Sequence, residues 1–361
     1  MSLFELRGKL TSTQNLVWGI FGLVFLIALW WGLAELLSRP AVGENFDAPP
    51  AADSLGIEQS VSPVTVDPSR RVYPLLPRPD QVVKAFPRLV SDDDLMSNTW
   101  RSVWLNLQGY FWAIFVSIPI GFLIGLFPIF RSMFGKQVDA LRYLPLTALT
   151  GLFIIWFGIE DRMKIAFLAF GIIVYLLPVV VQRIDEVEDV YIKTVFTLGA
   201  KTWQTIRSVY LPSVMSRLID DIRVLTAISW TYIIIAELLN RQGGLGGLIY
   251  LKQRQGQVDK LFAILIIIVA IGYIQDRLFV YFDKRLFPHK YYKSALKGLT
   301  EVEYGLLIFF GSLALAILLP AFIPALAGKL GVPVLLVVIT SVILILFGEF
   351  KIQKNYVEQD K

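Results

Sequence analysis

The chain has 361 residues, of which 55% are hydrophobic and 17% are charged. This composition excludes an ordinary soluble globule and indicates a polytopic membrane protein. The net charge of +5 would suggest a nucleic-acid partner in a soluble chain, but here the basic residues fall mainly in short loops, the pattern that orients membrane helices, so no nucleic acid is expected. With no cysteine and a single histidine, His289, thiol chemistry is impossible and no metal site is predicted.

A short tail and a first membrane helix are predicted within residues 1–37. The apolar run from Leu16 to Leu37 is long enough to cross a bilayer and, unlike a cleaved signal peptide, does not end in small residues. Residues 38–98 then change to a composition rich in Pro, Asp, Ser and Val. This segment predicts an extended loop outside the membrane.

A core of five further spans is predicted within residues 99–290. Gly109, Gly121 and Gly125 lie in the first of these, which is long or kinked, and they predict close approach to another helix. The next span begins with prolines and ends in the sequence WFG. In chain order the five spans cover about residues 99–130, 140–165, 165–181, 222–239 and 262–282.

Two more apolar runs lie in the C-terminal segment 291–361, at about 304–323 and 332–347. The whole chain is therefore predicted to be an all-α polytopic membrane protein of about eight transmembrane helices. The glycines at 243–247 predict a re-entrant outer turn. They do not form a phosphate loop, because no strand precedes them and no Gly-Lys pair of the chain is followed by Ser or Thr.

The block 191–212, YIKTVFTLGAKTWQTIRSVYLP, is charged and aromatic and lies between two spans. Apolar residues at Phe196, Trp203, Ile206 and Val209 predict an amphipathic helix over 196–209. Gly199 predicts a bend between two short helices, and Pro212 suits the first turn of a new helix. The acidic run at 185–189 predicts either a solvated helix end or a contact with a basic partner.

Within this block, one pattern resembles the signature of the permease subunits of binding-protein-dependent ABC importers: Gly199-Ala200, eight further residues, Val209, one more residue and Leu211-Pro212. The Glu-Ala-Ala triplet of that signature is replaced here by Lys193, Thr194 and Val195. Segments 75–86 and 236–250 are also similar to the permeases of nitrate, sulfonate, taurine and bicarbonate type. The resemblance extends over about residues 72–288.

This resemblance implies a type I ABC importer-like core with a cytoplasmic coupling helix. It implies a second permease chain, in a homodimer, together with ABC ATPase subunits and a periplasmic or lipid-anchored substrate-binding protein. ATP and Mg would be bound by the ATPase, so this chain would need no cofactor and would catalyse nothing. The residues expected to couple to the ATPase are Phe196, Leu198, Gly199, Ala200, Trp203, Ile206, Arg207, Leu211 and Pro212.

A translocation path is predicted on the fifth span, where Thr226, Ser229 and Glu237 form a narrow polar stripe on an apolar helix. The alternative is that the stripe only hydrogen-bonds to a neighbouring helix. In the functional interpretation Thr147 and Thr150 form the opposite wall, and Glu237 is a gate or a substrate contact. Basic residues in short loops place both termini and the 191–212 block on the cytoplasmic side of the cell inner membrane.

Two other functions remain open from the sequence. A secondary transporter needs ionisable residues near the middle of the membrane, but Glu35 and Glu237 both lie near outer span ends. A non-transporting membrane scaffold, with the two C-terminal spans as its interaction surface, would not require the glycine-to-LP pattern.

Overall fold

The computed structural model describes residues 11–40, 71–240, 243–291, 298–323 and 330–359, and these are almost entirely helical. The helices are α1 (Ser12–Leu37), α2 (Pro79–Asp92), α3 (Leu95–Leu126), α4 (Pro128–Leu141), α5 (Thr150–Phe157), α6 (Asp161–Asp185), α7 (Asp189–Thr197), α8 (Thr202–Thr205), α9 (Leu211–Asn240), α10 (Gly244–Arg254), α11 (Val258–Leu286), α12 (Leu299–Phe322) and α13 (Gly331–Gln359). Two-residue strands β1 (Arg39–Pro40) and β2 (Arg71–Val72) pair antiparallel.

Among the described residues, seven helices are long and apolar enough to cross a membrane, and an eighth crossing is formed if the bent pair of α4 and α5 counts as one span. The seven include α1, α3, α6, α11, α12 and α13, and the remaining one runs from Thr202 to Leu239 through α8 and α9. The all-α polytopic architecture is thereby confirmed.

The bent pair corresponds to the predicted third span. A 3-10 turn (Leu146–Leu149) precedes α5, and the pair bends by 96°. Arg131 at the start of α4 pairs with Asp185 at the end of α6, whereas Phe153 of α5 packs on Phe167, with ring centroids 5.5 Å apart. The pair therefore runs antiparallel along at least 18 residues of α6, about 27 Å, which is close to the thickness of the hydrocarbon core.

The contacts divide the chain into two compact units, residues 1–96 with 248–267 and residues 97–247 with 268–361. In the first unit, the indole N–H of Trp30 donates to the carbonyl of Pro77 at 3.0 Å, and Glu35 accepts from Arg71 and Tyr73. The prediction of an extended loop over 38–98 is wrong for residues 79–92, which form α2. This short helix buries Val82, Ala85 and Leu89 on one face.

In the second unit, α3 packs closely on α6 through the three glycines that predicted such an approach. A Cβ atom added to Gly121 would lie 2.5 Å from Val180, and one added to Gly125 would lie 2.6 Å from Ile184. Gly109 likewise faces Leu168. Helix α6 in turn packs on α9, where Gly171 accommodates the ring of Tyr232.

The two C-terminal spans, α12 and α13, pack against each other through Gly305 and Gly348 within the same unit. A Cβ at Gly305 would approach Ile345 to 2.6 Å, and one at Gly348 would approach Val302 to the same distance. Glu349 of α13 links this pair of helices to α11. Its carboxylate accepts hydrogen bonds from Tyr281 at 2.7 Å and from Arg285 at 2.6 Å.

Candidate functional site

The 191–212 block contains the bend that was predicted at Gly199. Its φ of 80° is in the left-handed region, the Ala200 N–H donates to Val195 O at 3.0 Å, and the Gly199 N–H donates to Phe196 O at the same distance. This is a Schellman ending, in which the glycine closes α7 and releases the chain before α8 begins at Thr202. The prediction of one helix over 196–209 is wrong, because this ending interrupts it at 198–201.

The helix that starts at Thr202 continues into the membrane without a break. A π turn (Ile206–Tyr210) connects α8 to α9, and the Leu211 N–H donates to Ile206 O. Pro212 therefore does not begin a separate helix. Because proline has no N–H, it cannot complete the α-helical bond to Ser208, which is consistent with a local change of winding at this point.

The apolar residues of the block do not share one face. Phe196, Leu198 and Trp203 are 53%, 80% and 70% exposed. Val209 is instead buried in the body of the unit. The other residues predicted to couple to the ATPase differ in exposure. Ala200 and Ile206 are half-buried, and the exposed ones are Gly199, Arg207, Leu211 and Pro212.

A set of ion pairs fixes the base of this block. Arg183 near the end of α6 donates to both carboxylate oxygens of Asp221 on α9 at 2.7 Å and to Glu186 at 2.6 Å. The bond from Arg183 lowers the pKa of the Glu186 carboxyl below its usual value, and Arg217 of α9 adds to this effect.

Three of the four carboxylates in the acidic run at 185–189 are thus paired within the chain. Asp185 pairs with Arg131, and Asp189 pairs with Lys193 at 3.4 Å. Both interpretations made from the sequence, a solvated helix end and a contact with a basic partner, stay predictions. No local pattern in the sequence indicates these pairings, because the partners of Asp185 and Glu186 lie up to 54 residues away.

The polar stripe on α9 faces α3. Thr226 donates to the hydroxyl of Tyr110 at 3.2 Å, and Ser229 and the amide of Asn106 are 3.2 Å apart. Thr226, Ser229 and Glu237 are all buried. The stripe thus makes the contacts that the helix-packing alternative describes, and its place in a translocation path stays a prediction.

The two threonines predicted to face the stripe lie elsewhere. Thr147 is exposed in the turn before α5, and the Thr150 hydroxyl donates to its backbone carbonyl at 2.8 Å. The structure brings these two together with each other but not with Thr226 or Ser229.

Glu237 lies at a junction that sequence reasoning missed. Its carboxylate accepts from the Ser102 hydroxyl at 2.7 Å and from the Gly246 N–H at 2.8 Å. The Leu245 N–H donates to Ser102 Oγ, and the Gly244 N–H donates to Asn98, both at 2.8 Å. Side chains of α3 and α9 therefore cap the first three N–H groups of α10, which a helix start leaves without partners.

The predicted outer turn at 243–247 is thus wrong from Gly244 onward, where the chain is helical. Gly243 and Gly244 have φ values of 68° and 81°, so they supply the turn before this helix. No group of three or more His, Cys, Asp or Glu residues that could hold a metal ion occurs within the described parts of the chain.

Comparison with known proteins agrees with this architecture. Residues 117–288 match the family described as "Binding-protein-dependent transport system inner membrane component". The chain is 29% identical over 221 residues to a putative ABC transporter permease of Methanocaldococcus jannaschii, covering 59% of this chain and 82% of that protein.

Two further relatives are named for a solute. The putative aliphatic sulfonates transport permease SsuC of Bacillus subtilis is 27% identical over 215 residues, covering 59% of this chain and 77% of that protein. The taurine transport system permease TauC of Escherichia coli is 23% identical over 287 residues, covering 79% and 94%. Residues 117–288 of this chain are therefore similar to the inner membrane components of binding-protein-dependent transport systems.

Proposed function

We propose that this permease receives the movement of its ATPase subunits at the coupling surface formed by Phe196, Leu198 and Trp203. The chain is a transport subunit, and ATP hydrolysis in such a system belongs to separate subunits. The observation that carries the proposal is the exposure of three large apolar side chains beside charged residues, because such a patch outside the membrane spans marks an interaction site. A groove on a partner protein would bury it.

The rigid attachment of this surface supports the same proposal. Arg183 binds Asp221 and Glu186, and α8 continues into α9 without a break. A displacement of Trp203 would therefore move α9 as well. Coupled transport requires such a connection, because a docking event that moved only a loose loop would not change the helices around the path.

The test is Trp203→Ala in the complete transporter with its ATPase subunits. Burying an indole contributes ~2–3 kcal/mol to docking, so we expect weaker co-purification of the ATPase and loss of substrate-stimulated ATP turnover. Trp100→Ala is the matched control, since Trp100 is 69% exposed on α3. Normal assembly and normal stimulation in Trp203→Ala would show that this surface does not couple.

The proposed substrates are small sulfonates, including taurine, and this rests on the names of the two relatives. We propose that a separate binding protein delivers them to a homodimer of this chain. The exposed face of α5, with Ile155 80% and Trp156 62% exposed, supports a contact with a second copy, and Thr147 and Thr150 would then border the space between the copies.

Growth on single sulfur sources tests the substrate. A deletion strain is expected to lose growth on taurine or aliphatic sulfonates and to keep growth on sulfate. The binding protein of the same system should bind these sulfonates in solution. Unchanged growth on every sulfonate, combined with a defect on nitrate or bicarbonate, would assign the transporter to another anion of the same size class.

A further inference from the structure

A large groove lies where the two C-terminal spans meet the permease core. It has a volume of about 1070 Å³ and lies within the second unit. Trp104, Gln108 and Trp112 form one wall, spaced four residues apart and therefore on one face of α3. Small side chains line the opposite walls, among them Ala166 and Ala169 of α6 and Ala316 and Ala321 of α12.

Three helices end at this groove, so it lies near one surface of the membrane. Helix α6 begins beside it at Arg162, α12 ends beside it at Ala321, and α13 begins beside it at Gly331. From Arg162 to Ala169 the groove follows α6 for about 10 Å, which is shorter than half the hydrocarbon thickness of about 15 Å. It therefore extends from the interface into a single leaflet.

Almost all of the lining is apolar, and its two polar members are Gln108 and Arg162. Asp161 next to Arg162 is already paired with Arg101 at 3.0 Å and with Lys164 at 3.1 Å. Arg162 itself forms no ion pair with any residue that the structure describes. An exposed guanidinium at the end of an apolar groove favours an amphiphilic anion with its charge at the interface.

A wet groove of this kind is unfavourable, because apolar walls leave water without hydrogen-bond partners. In a bilayer the neighbouring molecules with both an apolar chain and an anionic group are phospholipids. We propose that the groove binds one acyl chain of an anionic phospholipid, with the phosphate of its headgroup held by Arg162. The lipid would fill the space between α12, α13 and the core and would attach the two C-terminal spans to it.

Native mass spectrometry of the full chain tests this, with dioleoyl phosphatidylglycerol and dioleoyl phosphatidylcholine as probes. We expect the chain to retain one phosphatidylglycerol molecule and to bind it about tenfold more tightly than phosphatidylcholine. This is the difference in affinity that one charge-assisted hydrogen bond provides. Arg162→Gln should reduce that preference to about twofold or less. Arg88→Gln is the matched control, an exposed arginine without an ion pair to a described residue, and should preserve the preference.

A second variant, Ala316→Phe, narrows the groove and should weaken the binding of both lipids. Inorganic phosphate at millimolar concentration should displace neither. The proposal is overturned by the absence of retained lipid, by equal preference in the native chain and Arg162→Gln, or by displacement with free phosphate. Binding of octanesulfonate to a chain that retains no lipid would also overturn it and would assign the groove to a transported solute.

Discussion

Ser102 is the residue on which the contact between α3, α9 and α10 depends. Its hydroxyl donates to Glu237 and accepts the Leu245 N–H, and it is completely buried. We expect Ser102→Ala to lower the free energy of unfolding by about 1–3 kcal/mol, because a buried carboxylate and a buried N–H each lose a partner. Thermal unfolding in detergent, followed by tryptophan fluorescence, measures this.

Ser117→Ala is a stringent control for that prediction. Ser117 lies on the same helix and is equally buried, but its hydroxyl has no hydrogen-bond partner among the described residues. Removing it should leave stability unchanged or raise it slightly. Equal losses in the two variants would mean that packing around the serine side chain matters and that the bonds to Glu237 and Leu245 do not.

Among single residues, the sequence predicted those whose role depends on their own backbone conformation or on their small size. Gly199 and the three glycines of α3 are examples, because their need for a bend or a close approach is local. It could not predict the partners of Ser102 and Glu237, which are 135 residues apart. The tertiary fold alone brings such a pair together.

The hairpin of α12 and α13 gives a prediction about elements. Gly305 lies against Ile345, and the backbone of Ser341 would be 3.1 Å from an added Cβ, so a side chain has no room there. Gly305→Leu should separate the two helices and produce aggregated or proteolysed protein. Size-exclusion chromatography of the purified variant measures this.

Gly311 on the same helix is the control, because an added Cβ would meet nothing within 4 Å. Gly311→Leu should therefore elute like the native chain. If both variants elute normally, α12 and α13 tolerate separation and Gly305 has no role in packing them. If both aggregate, the helix itself is sensitive to leucine wherever it is placed.

Long apolar elements were predicted well, because hydropathy alone identifies them. The short helices α2 and α10 were missed. Helix α2 is amphipathic and lies in a polar segment, whereas α10 begins with a run of glycines that sequence reasoning assigns to a turn. Its start is stabilised by Asn98, Ser102 and Glu237, which are distant in sequence.

The orientation of the whole molecule depends on the bent pair of α4 and α5. If the pair crosses the membrane, Lys136 and Lys193 lie on one side, which the short-loop charges predict to be cytoplasmic, and Glu160 lies on the other. The contacts of Arg131 with Asp185 and of Phe153 with Phe167 support a crossing. If the pair does not cross, Lys136 lies on the same side as Glu160 and every later element is inverted.

Single cysteines at these three positions test the orientation, and the native chain provides a background without cysteine. In intact cells, an impermeant maleimide is expected to label Glu160→Cys and to leave Lys136→Cys and Lys193→Cys unlabelled until the membrane is opened. Labelling of both Glu160→Cys and Lys136→Cys in intact cells would contradict a crossing. The charge pattern of short loops supports only the absolute orientation, not the number of crossings between these points.

The π turn at 206–210 also sets an angular phase between two parts of one helix. A π turn holds about one residue more than an α turn, so it rotates everything before it by about 100° relative to everything after it. Trp203 and Ser229 therefore point in directions that a regular helix would not give them. If this turn rewound to a regular α-helix with all its residues, Trp203 would rotate by about 100° relative to Ser229, whereas deletion of one residue in the turn would leave their relative azimuth unchanged.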